Sequence, residues 1–148
     1  MREAQSERDA LLKQIEALKQ SGATGNVKAD EQLMMKAALT NAKGTGVSVL
    51  IEDSLKPIQS GENPNLYVIH DEDILRIVNE LRAGGAEAIA INDQRLIGTS
   101  EIRCSGPTIT VNGKVFGAPF TVKAIGDPKT LNSALTMRGG VVDSLKHW

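Results

Sequence analysis

Residues 71–127, DEDILRIVNELRAGGAEAIAINDQRLIGTSEIRCSGPTITVNGKVFGAPFTVKAIGD, decide the fold. Asp71 is the N-cap candidate for a helix over 71–83, with Glu72 and Asp73 in its first turn at the positive end of the helix dipole. Ile74, Val78 and Leu81 form a stripe for burial, flanked by Leu75 and Ile77. Gly84-Gly85 supplies the stop, with Gly85 expected in the left-handed region. Residues 86–91 alternate as a strand, with Ala86, Ala88 and Ala90 in one row and Glu87, Ile89 and Ile91 in the other. Small residues let a helix lie close on the first face. The isoleucines imply that the second is covered too, by a helix over 30–42, by the Asn112-Gly113 hairpin, or by another copy of the chain.

Asn92-Asp93 turns the chain into a strand over 95–104, where Leu96, Gly98, Ser100, Ile102 and Cys104 share a face. Ile109 and Val111 lead into Asn112-Gly113, a strong hairpin signal that places Gly113 in a type I′ turn. Lys114-Val115-Phe116 returns, and 120–125 is a further strand. Asp127-Pro128 then reads as an N-cap followed by proline at the first helical position. Leu131, Ala134 and Leu135 give that helix its apolar side, Gly139-Gly140 ends it, and 141–145 is an edge strand or a short helix.

Upstream, residues 3–20 are rich in Glu, Ala, Leu, Lys and Gln, and Ala4, Leu11, Ile15 and Leu18 fall at heptad spacing. The division is then an N-terminal helical or coiled-coil stalk over 1–20, a hinge over 21–29, and a globular domain over 30–148. Within the domain, a helix over 30–42 precedes a strand over 47–52, a long polar loop over 53–65 and an extended stretch over 66–69. The order of elements gives an α+β fold: a ferredoxin-like sandwich of helices on a mainly antiparallel sheet, with an inserted β-hairpin and a preceding N-terminal helix.

Composition excludes several functions. Seventeen basic and eighteen acidic residues leave net charge −1, so there is no basic footprint for nucleic acid. Aromatics at 3% argue against a base-stacking surface. The lone Cys104 allows neither an intrachain disulfide nor a cysteine zinc site. No apolar run approaches the ~20 residues that span a bilayer, and no signal-peptide pattern is present. Met1 leads straight into a charged helical pattern, as the start of a piece of a longer chain would.

The reactive side chains do not make a site in sequence. His70 precedes a helix and reads as a capping or surface residue, since His147 is far away at the terminus and metal sites need convergent ligands. Cys104, in phase with Ile102, reads as a buried and inert thiol. Glu87, Asp93, Arg95, Glu101 and Arg103 on neighbouring strands read as cross-strand ion pairs on a solvated face. Gly44-Thr45-Gly46 precedes a strand and lacks the remaining signature of a nucleotide loop. A carboxylate at the Asp127 helix start argues against an anion there. No catalytic group, metal or cofactor is expected.

NELRAGGAEAIAINDQRL and GPTITVNGKVFGAPFTVKAIGD resemble the YlxW/YlxX family of uncharacterised bacterial proteins. Asn79, Glu80, Leu81, Gly85, Ala86, Glu87, Ile91, Asn92 and Arg95 match the first block. Asn112, Gly113, Pro119, Ala124, Ile125, Gly126 and Asp127 match the second. The resemblance implies an N-terminal membrane helix, then a coiled coil, then this domain outside the cytoplasmic membrane of Gram-positive bacteria, encoded near division genes and without known enzymatic activity. The membrane helix is not in these 148 residues, so anchoring is implied by relatives alone.

Two functions follow as expectations. The first is a non-enzymatic, membrane-tethered interaction domain with protein partners in division or envelope assembly, weakly self-associating, with no nucleic acid. Its surface would include Asn79, Glu87, Asn92, Arg95 and Arg103. The second is a small-ligand-binding or enzymatic domain with Asn92, Arg95 and Arg103 in a polar pocket. Side chains converging in a deep pocket favour the second, and a flat apolar face favours the first.

Overall fold

A computed structural model describes residues 27–146 together with Ala10, Lys13, Gln14, Glu16 and Ala17, which are helical and exposed. The rest of the 1–20 stalk, residues 21–26 of the hinge, and His147 lie outside the described residues. The chain divides into two compact units, Met1–Ala42 and Lys43–Trp148.

In the first unit, helix α1 spans Val27–Lys36, starting within the stretch read as hinge and stopping well before residue 42. Ala38 takes φ 55 while Leu39 N donates to Met34 O and Ala38 N to Met35 O. Those two bonds satisfy the last carbonyls as a Schellman close, so the helix cannot run on.

The second unit is α+β. Strand β1 (Gly46–Ile51) is followed by a 3-10 turn (Pro64–Tyr67), which replaces the extended stretch expected at 66–69, and by helix α2 (Asp71–Ala83). Strands β2 (Ala88–Ile91), β3 (Gln94–Arg95), β4 (Ile102–Ser105), β5 (Thr108–Val111), β6 (Lys114–Phe116) and β7 (Phe120–Ile125) come next. Helices α3 (Pro128–Leu135) and α4 (Val141–Lys146) end the unit. One antiparallel sheet has the order β1-β7-β2-β3, and the other is the meander β4-β5-β6. The expected 95–104 strand is two strands in different sheets. Ser100 breaks it: its N–H donates to Ile97 O while its hydroxyl accepts from Ile97 N, closing a turn at Gly98-Thr99.

Because β7 pairs antiparallel with both β1 and β2, those two run parallel with β7 between them, a split βαβ. Adding α3, the elements β1-α2-β2-β7-α3 are those of a ferredoxin-like unit short of its closing strand. The insert between β2 and β7 is a three-stranded meander rather than a hairpin. Residues 141–145, left open between strand and helix, are helical.

Alternation assigns the faces. Val47, Val49 and Ile51 lie opposite Ala124, Val122 and Phe120, and Ile89 and Ile91 opposite Ala124 and Val122. This row packs on Ile74, Ile77, Val78 and Leu81 of α2, Leu131 and Leu135 of α3, and Val141 of α4. Ile109 and Val111 of the meander complete the core. Each fully buried Ile or Leu contributes roughly 1.5–3 kcal/mol. Ile89 and Ile91 are thus covered by the chain's own helices, at 5% and 0% exposure. Self-association therefore loses the ground that sequence alternation gave it. Ala88 and Ala90 face the other way, Ala88 opposite Ile125 and Ala90 opposite Lys123 and Arg95; Ala88 is nonetheless buried, and Ala86, before the strand, packs against the core.

Candidate functional site

Asn92 and Asn112 occupy equivalent turns. Asn92 and Asp93 have φ 43 and 63, and Asn112 and Gly113 have φ 50 and 72, so both hairpins turn through two left-handed residues. Each asparagine also ties its turn to another strand. Asn92 N donates to Thr121 O at 2.9 Å and Asn92 Oδ1 accepts from Thr121 N at 2.8 Å, extending the β2–β7 ladder by one rung. Asn112 Nδ2 donates to Arg95 O at 2.9 Å, joining the meander to the four-stranded sheet. Gly113 N donates to the Glu101 carboxylate.

The candidate polar residues are spread over the unit. Arg95 lies opposite Ala90 on the open face of the four-stranded sheet, whereas Arg103 lies opposite Thr110 in the meander. Glu87 and Asn79 are exposed, the latter on α2. Asp93 pairs with Lys123 at 3.1 Å, an exposed bridge of little energetic weight. No group of three or more His, Cys, Asp or Glu that could hold a metal occurs among the described residues.

At the start of α2 the N-cap is His70, not Asp71, and His70 N donates to Asp73 Oδ2 at 3.0 Å. Asp71 instead joins α2 to β4: its Oδ2 accepts from Cys104 N at 2.8 Å and its Oδ1 from Cys104 Sγ at 3.2 Å. Cys104 is exposed rather than buried, because β4 is an edge strand and places this residue beside the helix start. The hydrogen bond from the Cys104 amide holds the Asp71 carboxyl below the usual range. Desolvation of the sulfur against the helix start, then the Asp71 and Asp73 carboxylates, push the thiol up. At neutral pH it is a protonated, poor nucleophile. At α3, Asp127 is the N-cap, accepting from Thr130 N at 2.8 Å and Thr130 Oγ1 at 2.6 Å, with Pro128 next. The Thr130 hydroxyl above all, and then the Thr130 amide, hold the Asp127 carboxyl below the usual carboxylate range.

A different feature lies along β1. Asn92 pairs by hydrogen bonds with Thr121, so residues 121, 123 and 125 of β7 bond toward β2 and residues 120, 122 and 124 toward β1. Gly126 N donating to Thr45 O fits the same alternation. Val47, Val49 and Ile51 therefore bond to β7, and the N–H and C=O of Ser48 and Leu50 point to the open edge. Beside that edge runs a groove of about 730 Å³ whose apolar walls include Val49, Ile51, Ile69, Ile77, Val142 and Leu145. Leu50 is 62% exposed and Leu55 98%. None of the polar candidates lines it. One signal for it is in the sequence: GVSVLI is a strand without a charge or a proline, and it holds Leu50 in the row that Ser48 occupies.

The model of a family described as "Bacterial protein of unknown function (DUF881)" matches residues 29–148. The UPF0749 protein YlxW of Bacillus subtilis is 45% identical over 115 residues, covering 78% of this chain and 49% of that protein. A UPF0749 protein of Mycobacterium tuberculosis, Rv1825, is 33% identical, covering 92% of this chain and 46% of its own length. A crystal structure of an uncharacterised conserved protein from M. tuberculosis superposes with TM-score 0.66 at 32% identity, covering 79% of this chain and 77% of the other. The chain spans about half the length of the curated relatives it matches. No helix among the described residues is long and apolar enough to cross a membrane.

Proposed function

We propose that this chain, which belongs to the DUF881 family of bacterial proteins, is a non-enzymatic interaction domain whose working surface is the β1 edge and its groove. The observation that carries this reading is the unprotected edge. Sheet edges in soluble domains are blunted by charge, proline, bulges or a covering element, because open N–H and C=O groups recruit other chains. Gly46–Ile51 has neither charge nor proline, and it borders an apolar groove. In the full-length protein, by family resemblance, the domain is tethered outside the cytoplasmic membrane and serves division or envelope assembly. A polar pocket has less support, because Asn92 uses its side-chain oxygen on Thr121 N.

A photo-crosslinking residue at position 50 of the full-length protein, in its native membrane, is expected to give discrete covalent adducts. The same probe at Lys129, on the exposed side of α3, gives none. Absence of adducts from position 50 would overturn the assignment.

A further inference from the structure

The segment around β1 is close to self-complementary. Residues 43–53 read KGTGVSVLIED, with Val47 and Val49 placed symmetrically about Ser48, a lysine at one end and two carboxylates at the other. Run antiparallel against a second copy with Ser48 opposite Ser48, Val47 faces Val49, Gly46 faces Leu50, and Lys43 faces Asp53 at both ends. Parallel pairing would set like charges together.

Register supports the same centre. A strand can be its own antiparallel partner only through a residue on the two-fold axis, and Ser48 directs its backbone N–H and C=O outward. Centring there pairs Gly46 to Leu50 of each β1 with one another and sets Ile51 opposite Thr45. The partner's Val47 and Val49 would then fall on the helix side of the sheet, where Val142 and Leu145 of α4 wall the groove. This is where a next strand of the sheet would lie, and the fold provides α4 in place of a closing strand.

We infer that the occupant of the β1 edge is a second copy of this chain, joined by antiparallel β1–β1 pairing about Ser48 into one continuous eight-stranded sheet. This rests on the interaction-domain reading and names the partner at that site. Both ladders close symmetrically, so each copy fills the other's groove.

The test uses the full 148-residue chain with Cys104→Ser. Residues opposite each other in a bonded antiparallel pair have Cα atoms about 5.5 Å apart, which suits a disulfide. Ser48→Cys is therefore expected to form a disulfide-linked dimer under mild oxidation, while Thr45→Cys, off the axis, does not. By sedimentation, Ser48→Pro yields monomer with unchanged far-UV dichroism, since that N–H points away from β7 and takes no part in the β1–β7 ladder. Lys43→Glu, which opposes two pairs of like charges, weakens the dimer about tenfold. A chain that is monomeric at high micromolar concentration, or a dimer indifferent to Ser48→Pro and Lys43→Glu, overturns the second-copy assignment. If position 50 then crosslinks only to a different protein, the interaction-domain reading stands without it. If position 50 crosslinks to nothing, both fall.

Discussion

Replacing Asn92 separates its two structural duties from any role in binding. The backbone sits at φ 43, and Oδ1 accepts from the part-buried Thr121 N at 2.8 Å. Asn92→Gly keeps the left-handed turn and loses only the side-chain bond. Losing a typical hydrogen bond costs about 1 kcal/mol, rising to about 1–3 kcal/mol when the buried donor stays unsatisfied. Asn92→Ala loses the same bond and adds the penalty of a Cβ at positive φ, about 1 kcal/mol more. The alanine variant is therefore expected about 2–4 kcal/mol below wild type, with the glycine variant roughly 1 kcal/mol above it. For a unit of about this size each kcal/mol lowers the melting temperature by roughly 4–8 °C. Urea unfolding followed by circular dichroism, with the slope m unchanged, reads the difference directly. Both variants within about 0.5 kcal/mol of wild type would refute the structural assignment and return Asn92 to the list of ligand-facing residues.

Glycine substitutions distinguish backbone strain from collision. At Gly85 (φ 84) a Cβ meets nothing within 4 Å, so alanine costs only the conformational penalty of about 1 kcal/mol; the same holds for φ at Gly113 (72). Gly46→Ala instead sets a Cβ 1.8 Å from Ala124 O, and calorimetry should show a loss well beyond that of Gly85→Ala. pH dependence follows from the Asp71–Cys104 contact. The carboxyl is depressed in the folded state, so its contribution is present above the ordinary carboxylate range and lost as pH falls through its folded pKa; Asp71→Asn should flatten that acid limb. The thiol is raised, so its contribution holds below the usual thiol range and is lost as pH climbs through the folded value; Cys104→Ser should flatten that alkaline limb. Deleting residues 1–26 is expected to leave the melting of the Lys43–Trp148 unit unchanged, and a large fall would show that the helix contributes to it.

What was legible in the sequence was local. Helix α2 could be read because Ile74, Val78 and Leu81 repeat at helical spacing and Gly85 can take the left-handed close, where Ala86 N bonds to Leu81 O. The Asn112-Gly113 turn needs only its own two residues. The N-cap of α2 shifted by one because Asp71 is drawn to Cys104, 33 residues away, a contact that no spacing rule encodes. The break between β3 and β4 depends on one serine hydroxyl, which competes with strand geometry through a local bond. Asn92, read from sequence as a candidate surface residue, is distinguished in the structure by its turn. Its specialness is the rare combination of positive φ and a bonded side chain, and a polar pocket and a tight turn both select asparagine.

The strand Ala88–Ile91 shows why counting apolar faces is a poor guide to partners. Its isoleucine row needs helices and has them. Its alanine row shares the open face with Ile125, Lys123 and Arg95 on either side, yet Ala88 is only 8% exposed. A methyl group standing between long side chains on neighbouring strands is shaded by them, since cross-strand neighbours sit about 5 Å apart and aliphatic stems lie along the surface. Such a face needs no second layer. An edge is different: no side chain on the same strand can satisfy an outward N–H and C=O in the ladder direction, whatever its size. The backbone of Ser48 and Leu50 thus makes a demand for a partner that Ile89 and Ile91 do not. On the interaction-domain proposal, the surface to test is therefore the β1 edge rather than the open face of Ala88–Ile91.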